Sequence, residues 1–490
     1  MITCRLKLGC LASVIMFCGY IPLFAWIYMS KKYETNINVK TSVVHKQSRD
    51  KSVRSFQVFD SSFINVKDFR NTEYKFVHYS LPNISYPFNC TETLDLEPQS
   101  FPHKIQGPVE DILCMKRPRL LENYKNPCWI EDGHLRCLPY FHIFGVCKSG
   151  TTDLFRRLMI HHQIMPNKGL MKKETWFWSW KRYGEHSDGP ISTLKNFTDL
   201  FDVLPQRLTY SYDLDMYYSH FVTGHGDPMD IWYPFDWTLI PQNNPTSEEP
   251  VYITPNLISH INPNIRLILV IRDPAERLYS HYLHKNLAIN IYPSAKEFHE
   301  DVQHAVSTFA NCTNRKSLRA CLYDTVLYKR LRAPISSGFY STFLRDWLKV
   351  FDKDQLMVIR TEDYEHNIAG TLMKVFKFLN LDNVGPYVLE KMACRELEYK
   401  SNYMSPIMNE TRSLLETFYN DSQRDMVSLV EEYGIDLSLQ PQDDMASKIN
   451  CTRFMARKPL VSKLKRKKVK RYFISKKNAT KYFRNKYIPR

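Results

Sequence analysis

Hydrophobic and polar positions along the chain set out alternating strands and helices. Tyr140 to Val146 is a short apolar run of aromatic and branched residues, which predicts a buried strand. Cys147-Lys148-Ser149-Gly150-Thr151-Thr152 breaks the run with small residues. From Asp153 to His162 apolar positions return at Leu154, Phe155, Leu158 and Met159, which is helical spacing. Ile265 to Ile271 is a near-continuous apolar run and predicts a parallel strand covered on both faces. It stops at Arg272. Asp273 as cap, Pro274 at the first helical position and Glu276 three residues after the cap then start a helix. Ala275, Leu278, Tyr279, Tyr282 and Leu283 form its inner face. Beyond these, the pattern predicts a short strand from Val251 to Ile253, an amphipathic helix from Ser337 to Phe351 and a strand from Leu356 to Ile359. It also predicts a helix from Asp363 to Leu379, and one or two helices between Met408 and Tyr433. Such alternation implies an α/β fold with a central parallel sheet flanked by helices. Residues 187–250 are rich in aromatics, prolines and acids but poor in periodicity, and are expected to pack around the mouth of a site.

The N-terminal pattern is different. Leu8 to Met29 is a 22-residue segment without a charge, long enough to cross a bilayer, flanked by Arg5 and Lys7 and by Lys31-Lys32. No small-x-small cleavage site stands out, so it reads as an uncleaved transmembrane signal anchor. Eight N-x-[ST] sequons follow it, at Asn83, Asn89, Asn196, Asn311, Asn409, Asn420, Asn450 and Asn478. Nine of the twelve cysteines also lie beyond it. Cys147 sits inside the small-residue loop and is expected to stay free. The other eight could form four bridges whose connectivity stays open, with Cys312–Cys321 the best local pair. Together these features predict a type II membrane protein with a luminal body. The formal charge of +16 is concentrated at the C-terminus, where Arg457 to Arg490 holds fifteen Lys/Arg and no acid. That tail could hold a polyanion near the body by long-range attraction. Nucleic acid is excluded as a partner because the compartment is wrong.

A strand, a small-residue loop and a helix N-terminus make an anion cradle: backbone N–H groups and the helix dipole face the ligand, and Lys148 adds a full charge. The order differs from a Walker loop, in which the lysine follows the last glycine; here Lys148 precedes Gly150. Lys148-Ser149-Gly150-Thr151-Thr152 instead resembles the 5′-phosphosulfate loop of sulfotransferases that use 3′-phosphoadenosine 5′-phosphosulfate (PAPS). Arg272 with Ser280 eight residues later resembles the element that grips the donor's 3′-phosphate in that family. Arg272 leaves the carboxyl end of a strand, where open α/β sheets bind ligands, and its guanidinium offers a two-pronged donor. Gly338, Tyr340, Leu344 and Trp347 resemble the G-x-Y-x-x-x-L-x-x-W helix of Golgi carbohydrate (glycosaminoglycan) sulfotransferases. The resemblance runs from about Tyr140 to Val430.

It implies a P-loop-like sulfotransferase domain over residues 137–440, preceded by a cytoplasmic tail (1–7), the anchor (8–29), a stem (30–75) and a disulfide-pinned lead-in (76–136), and followed by a basic tail (441–490). It implies PAPS as sulfuryl donor, bound by Lys148, Ser149, Gly150, Thr151, Thr152, Arg272, Ser280 and Tyr340. Glu174, in a Lys173-Glu174 pair, is then the base that strips the acceptor hydroxyl, and Lys148 stabilises the leaving oxygen. Lys173, Lys181 and Arg182 are the candidate contacts to an anionic acceptor. The run Lys173 to Gly184 looks like that of members acting on C6 of 4-sulfated N-acetylgalactosamine in chondroitin and dermatan sulfate, except that Trp176 stands where many relatives have histidine. Heparan sulfate O-sulfotransferase, or an inactive membrane-tethered glycosaminoglycan-binding protein, are the alternatives. The resemblance further implies a Golgi membrane location and a glycosaminoglycan partner; a homo-oligomer is allowed. The His and Cys residues lack ligand spacing, so no metal is expected.

Overall fold

The computed structural model describes residues 64–65, 90, 109–184, 191–205, 207–233, 237–288, 291–396, 406–435, 449 and 451–452. The expected anchor at 8–29, its flanking tail, nearly all of the stem and the basic C-terminal segment lie outside them. So do the sequons at Asn83, Asn89, Asn450 and Asn478. Among the described residues no helix is long and apolar enough to cross a membrane.

The body begins with a hairpin, β1 (Cys128–Glu131) and β2 (His134–Cys137), closed by the Cys128–Cys137 disulfide. There follow β3 (Phe141–Gly145), α1 (Thr151–Leu158), β4 (Ile164–Met165), β5 (Val222–His225), α2 (Thr254–Ile261) and β6 (Arg266–Ile271). Then come α3 (Pro274–Ala288), α4 (Ala295–Thr313), α5 (Tyr340–Leu348), β7 (Leu356–Arg360), α6 (Thr361–His366), α7 (Ile368–Phe378), α8 (Pro386–Ala393) and α9 (Asn409–Tyr433). The central sheet runs β7-β6-β3-β5-β4, and every pair in it is parallel. Strand residues alternate between two buried layers, as a period of two requires. Ile268 and Val270 join Leu154, Phe155, Leu372 and Phe376 on one face; Leu267 and Leu269 join Trp232, Leu278, Trp347 and Leu415 on the other. That two-sided burial is why β6 reads as one continuous apolar run.

Several boundaries differ from the sequence expectation. Residues 251–253 do not form a strand. The Asn243 side-chain oxygen accepts the N–H groups of Val251 (3.0 Å) and Tyr252 (2.8 Å), and Asn256 accepts that of Ile253 (2.9 Å), which leaves no donor for a ladder. The helix expected from Ser337 starts at Tyr340, after a 3-10 turn at Ile335–Gly338. The helix expected from Asp363 to Leu379 is two, divided at Asn367, whose side chain caps α7 by accepting from the N–H of Gly370 at 2.9 Å. Strand β5 and the 19-residue α4 were not predicted. The helix has a legible stripe (Phe298, Val302, Ala305, Phe309). The strand, Val-Thr-Gly-His, has only four residues and no apolar rhythm, and its burial comes entirely from its neighbours.

Among the described residues all eight cysteines outside the loop pair, as Cys90–Cys114, Cys128–Cys137, Cys312–Cys321 and Cys394–Cys451, while Cys147 is buried and forms no disulfide. The described sequon asparagines, Asn196, Asn311, Asn409 and Asn420, are exposed, as glycan acceptors must be.

Candidate functional site

Strand order places the site. From β3 the chain continues to β4 and β5 on one side of the sheet, and from β6 to β7 on the other. The loops after the adjacent strands β3 and β6 therefore part at a topological switch point, the position at which open α/β sheets bind ligands. The loop after β3 is Val146 to Gly150, and the residue after β6 is Arg272.

The loop is shaped for close approach to an anion. Lys148 has φ 69° and Gly150 φ 86°, so two left-handed residues turn the backbone into the N-terminus of α1. Thr151 is buried and Thr152 half-buried in the first turn. The Ser149 side chain is fully buried, and its hydroxyl has no hydrogen-bond partner among the described residues. An orphaned donor at a helix N-terminus is a group that a bound phosphate or sulfate would satisfy.

Three expected pieces meet here. The Arg272 guanidinium donates to the Lys148 carbonyl at 3.4 Å and pairs with Glu276 at 3.6 Å. The Tyr340 hydroxyl donates to the Arg272 carbonyl at 2.9 Å, and burial pushes this phenol's pKa up to about 12. Ser280 is buried two turns into α3. A fourth residue escaped the sequence reading. The Thr361 hydroxyl lies 2.8 Å from both the Ser149 and Ile271 carbonyls and staples the anion loop to the end of β6. Nothing local marks that threonine, because its partners are 212 and 90 residues away. Thr361→Val is expected to lower stability by about 1 kcal/mol and to weaken binding of 3′-phosphoadenosine 5′-phosphate, read by denaturant melts and calorimetry.

His284 was also missed, although its spacing of four from Ser280 puts both on one face of α3. Burial, helped by the nearby charge of Lys148, pushes its imidazole down to about 4. It is therefore neutral at pH 7.

The other expected piece is the Lys173-Glu174 pair, beside the residues that follow β5. Lys173 is buried and donates to Glu174 Oε1 at 2.8 Å. It was expected to contact an acceptor; the structure buries it against the Glu174 carboxylate. Gly226 makes room for it: a Cβ there would lie 2.8 Å from Lys173 Cε. Glu174 Oε2 accepts the Trp176 indole N–H at 2.9 Å. Lys181 is half-buried with Nζ 5.8 Å from the centre of the Trp176 ring. Arg182 is buried, donates to the Glu110 carbonyl at 3.1 Å and lies over the Tyr183 ring, so it belongs to the wall of the domain rather than to an open surface.

Asp227 braces the turn that carries Glu174. Its carboxylate accepts the N–H groups of Thr175 (3.0 Å) and Trp176 (3.0 Å), and the Thr175 hydroxyl also donates to it. Burial alone would raise its pKa, but bonds from His225 and Thr175 and the charge of Lys173 outweigh it and hold the carboxyl below its ordinary value. Deeper still, ligand atoms of His142, His225 and Asp230 lie within 4.8 Å of one another. The two imidazoles stack with centres 3.8 Å apart and 18° between planes. An imidazole binds a metal along its ring plane at about 2.0–2.1 Å, and near-parallel planes do not converge on one ion at that range.

These buried histidines set an acid limit on the fold. His142 is pushed well below its ordinary 6.5 by burial, His225 and Lys173; His281 is pushed likewise by burial and Arg277. Between 6.5 and those depressed values the unfolded chain binds more protons than the folded one, so stability present above 6.5 drains away as pH falls. Asp227 adds a loss of the same sign further down. Melting temperature is expected to hold from pH 7.5 to about 6.5 and to drop steadily from there to pH 5.

A parallel sheet with a lysine-bearing loop and an arginine facing each other across its switch point defines an α/β protein built to hold a multiply charged anion. The chain belongs to the sulfotransferase domain family, which matches residues 141–417. Over 301 residues it is 35% identical to carbohydrate sulfotransferase 15 of Homo sapiens, covering 58% of this chain and 52% of that protein. The bifunctional heparan sulfate N-deacetylase/N-sulfotransferase 3 of Homo sapiens is 23% identical over 337 residues, covering 64% of this chain and 33% of that protein. A solved sulfotransferase from Alicyclobacillus acidocaldarius shares 18% identity at a TM-score of 0.39, covering 61% of this chain and 98% of that one. The chain thus spans about half the length of the first of these curated relatives.

Proposed function

We propose that this chain transfers a sulfuryl group from PAPS to a sugar hydroxyl of a glycosaminoglycan, at C6 of 4-sulfated N-acetylgalactosamine in chondroitin or dermatan sulfate. The observation that carries the donor half is the 3.4 Å contact between the Arg272 guanidinium and the Lys148 carbonyl. It brings the loop of Lys148 and the strand end of Arg272 together at the switch point, which supports their serving the two ends of one donor. The acceptor half is supported by the identity to carbohydrate sulfotransferase 15 and by the Lys173 to Gly184 run. The heparan-sulfate relative is the more distant of the two.

In this reading the acceptor oxygen attacks sulfur in line. Its proton passes to Glu174, and the S–O bond to the donor's 5′-phosphate breaks as charge builds beside Lys148. Ser149, Gly150, Thr151 and Thr152 cradle the 5′ end; Arg272 and Ser280 take the 3′-phosphate, with Tyr340 fixing the backbone of Arg272. Lys181 is the remaining candidate for an acceptor sulfate or carboxylate. The protein would act in the Golgi lumen, held by the N-terminal anchor, with the basic tail gathering polyanionic chains. The test is transfer from radiolabelled PAPS to chondroitin 4-sulfate, desulfated chondroitin and heparan sulfate, with disaccharide analysis of the product. Label in 4,6-disulfated N-acetylgalactosamine is expected. Label confined to heparan sulfate overturns the acceptor, and no binding of 3′-phosphoadenosine 5′-phosphate overturns the donor.

A further inference from the structure

Resting on that reading, we infer that Trp176 is a positioning residue for the base: its indole N–H clamps the second oxygen of Glu174 and fixes the carboxylate against the acceptor hydroxyl.

Three observations carry this. Both carboxylate oxygens have a donor, Lys173 Nζ on Oε1 at 2.8 Å and Trp176 Nε1 on Oε2 at 2.9 Å. Held from two directions, the carboxylate cannot swing about its terminal bond, yet each oxygen keeps a free lone pair for a proton. Trp176 also adopts φ 54°, a left-handed backbone rare for a bulky side chain. Asp227 holds it there by accepting its N–H at 3.0 Å along with that of Thr175. Third, the ring is oriented by its surroundings: Trp180 meets it edge-on at 5.3 Å and Lys181 lies over it at 5.8 Å. Core packing accounts for the ring's contacts but not for its hydrogen bond, since Trp176 is half-buried and its one polar atom points at the carboxylate. An indole cannot take up a proton near neutral pH. It supplies a hydrogen bond without proton exchange, so it orients Glu174 without sharing its proton.

The test compares Trp176→Phe and Trp176→His with wild type for kcat, acceptor KM, affinity for 3′-phosphoadenosine 5′-phosphate and melting temperature. Phe keeps the ring against Trp180 and loses the N–H; His returns a donor. The expected result for Trp176→Phe is a kcat about ten- to a hundredfold lower, the scale of a misplaced catalytic group, with acceptor KM and nucleotide affinity within twofold. Trp176→His is expected to recover much of the loss. Wild-type kcat in Trp176→Phe overturns the inference, as does a loss shared equally by kcat, KM, nucleotide affinity and melting temperature in both variants. Absence of transfer by the wild-type protein overturns the functional reading itself and the inference with it.

Discussion

Lys148→Ala is expected to reduce sulfuryl transfer by about 10²–10³-fold, the usual consequence of removing one donor aimed at developing charge. Lys148 sits at the turn of the anion loop, and its own carbonyl is held by Arg272. That bond uses only the backbone of Lys148, so the loop keeps its brace when the lysine side chain is cut. Alanine meets the same left-handed backbone as lysine there, at φ 69°. The loss should therefore fall on kcat more than on the fold. An independent readout is built in. Lys148 is one of the charges that depress His284 and His281, so its removal should move both imidazoles upward from their depressed values. Imidazole titration by NMR checks that shift without any substrate. Lost activity with an unmoved His284 would mean that the lysine does not face the site.

Glu174→Gln is expected to abolish measurable transfer, by about 10²–10⁴-fold, while nucleotide binding survives. The amide can still accept from Trp176, but it neutralises the partner of a buried lysine. Breaking a buried pair from one side costs about 3–5 kcal/mol because a charge is left without its counterion. Partial exposure of Glu174 should bring the measured cost below that range. Stability and chemistry can then be separated: Lys173→Met added to Glu174→Gln removes the orphaned cation. The double variant should recover stability and remain inactive. Denaturant unfolding and single-turnover transfer make the comparison, and full activity in Glu174→Gln would remove Glu174 from the base role.

Much of this was legible before any coordinates. The continuous run of β6 and the Asp273-Pro274-Glu276 start of α3 gave a strand and a helix to within a residue or two, because burial on both faces and a capped first turn leave local traces. The Glu276 N–H does bond the Asp273 side chain, at 2.8 Å. The loop of Lys148 to Thr152 was readable for the same reason: small residues, a lysine and a following helix are close in sequence. Other features left no such trace. Residues 251–253 looked like a strand because side-chain capture of backbone N–H groups cannot be seen in a hydrophobicity pattern. Lys173 and Arg182 were read as candidate acceptor contacts, and both are buried, since sequence carries no sign of burial for a long cationic side chain. The local Cys312–Cys321 pair was foreseeable from a separation of nine, whereas Cys394–Cys451 spans 57 and was not.

The amino-acid order alone determined which local pieces exist: an anion loop between a strand and a helix, an arginine at the end of another strand, and a Lys-Glu pair between them. Only the tertiary structure decided that the first two meet at one switch point, because strand order is a property of the sheet and not of any strand. It also decided that Thr361 ties them together, that Trp176 and Lys173 grip Glu174 from two sides, and that Asp227 supports the turn. Those contacts join residues up to about two hundred positions apart, and such distances are bridged only when the core forms and fixes the register of every strand at once.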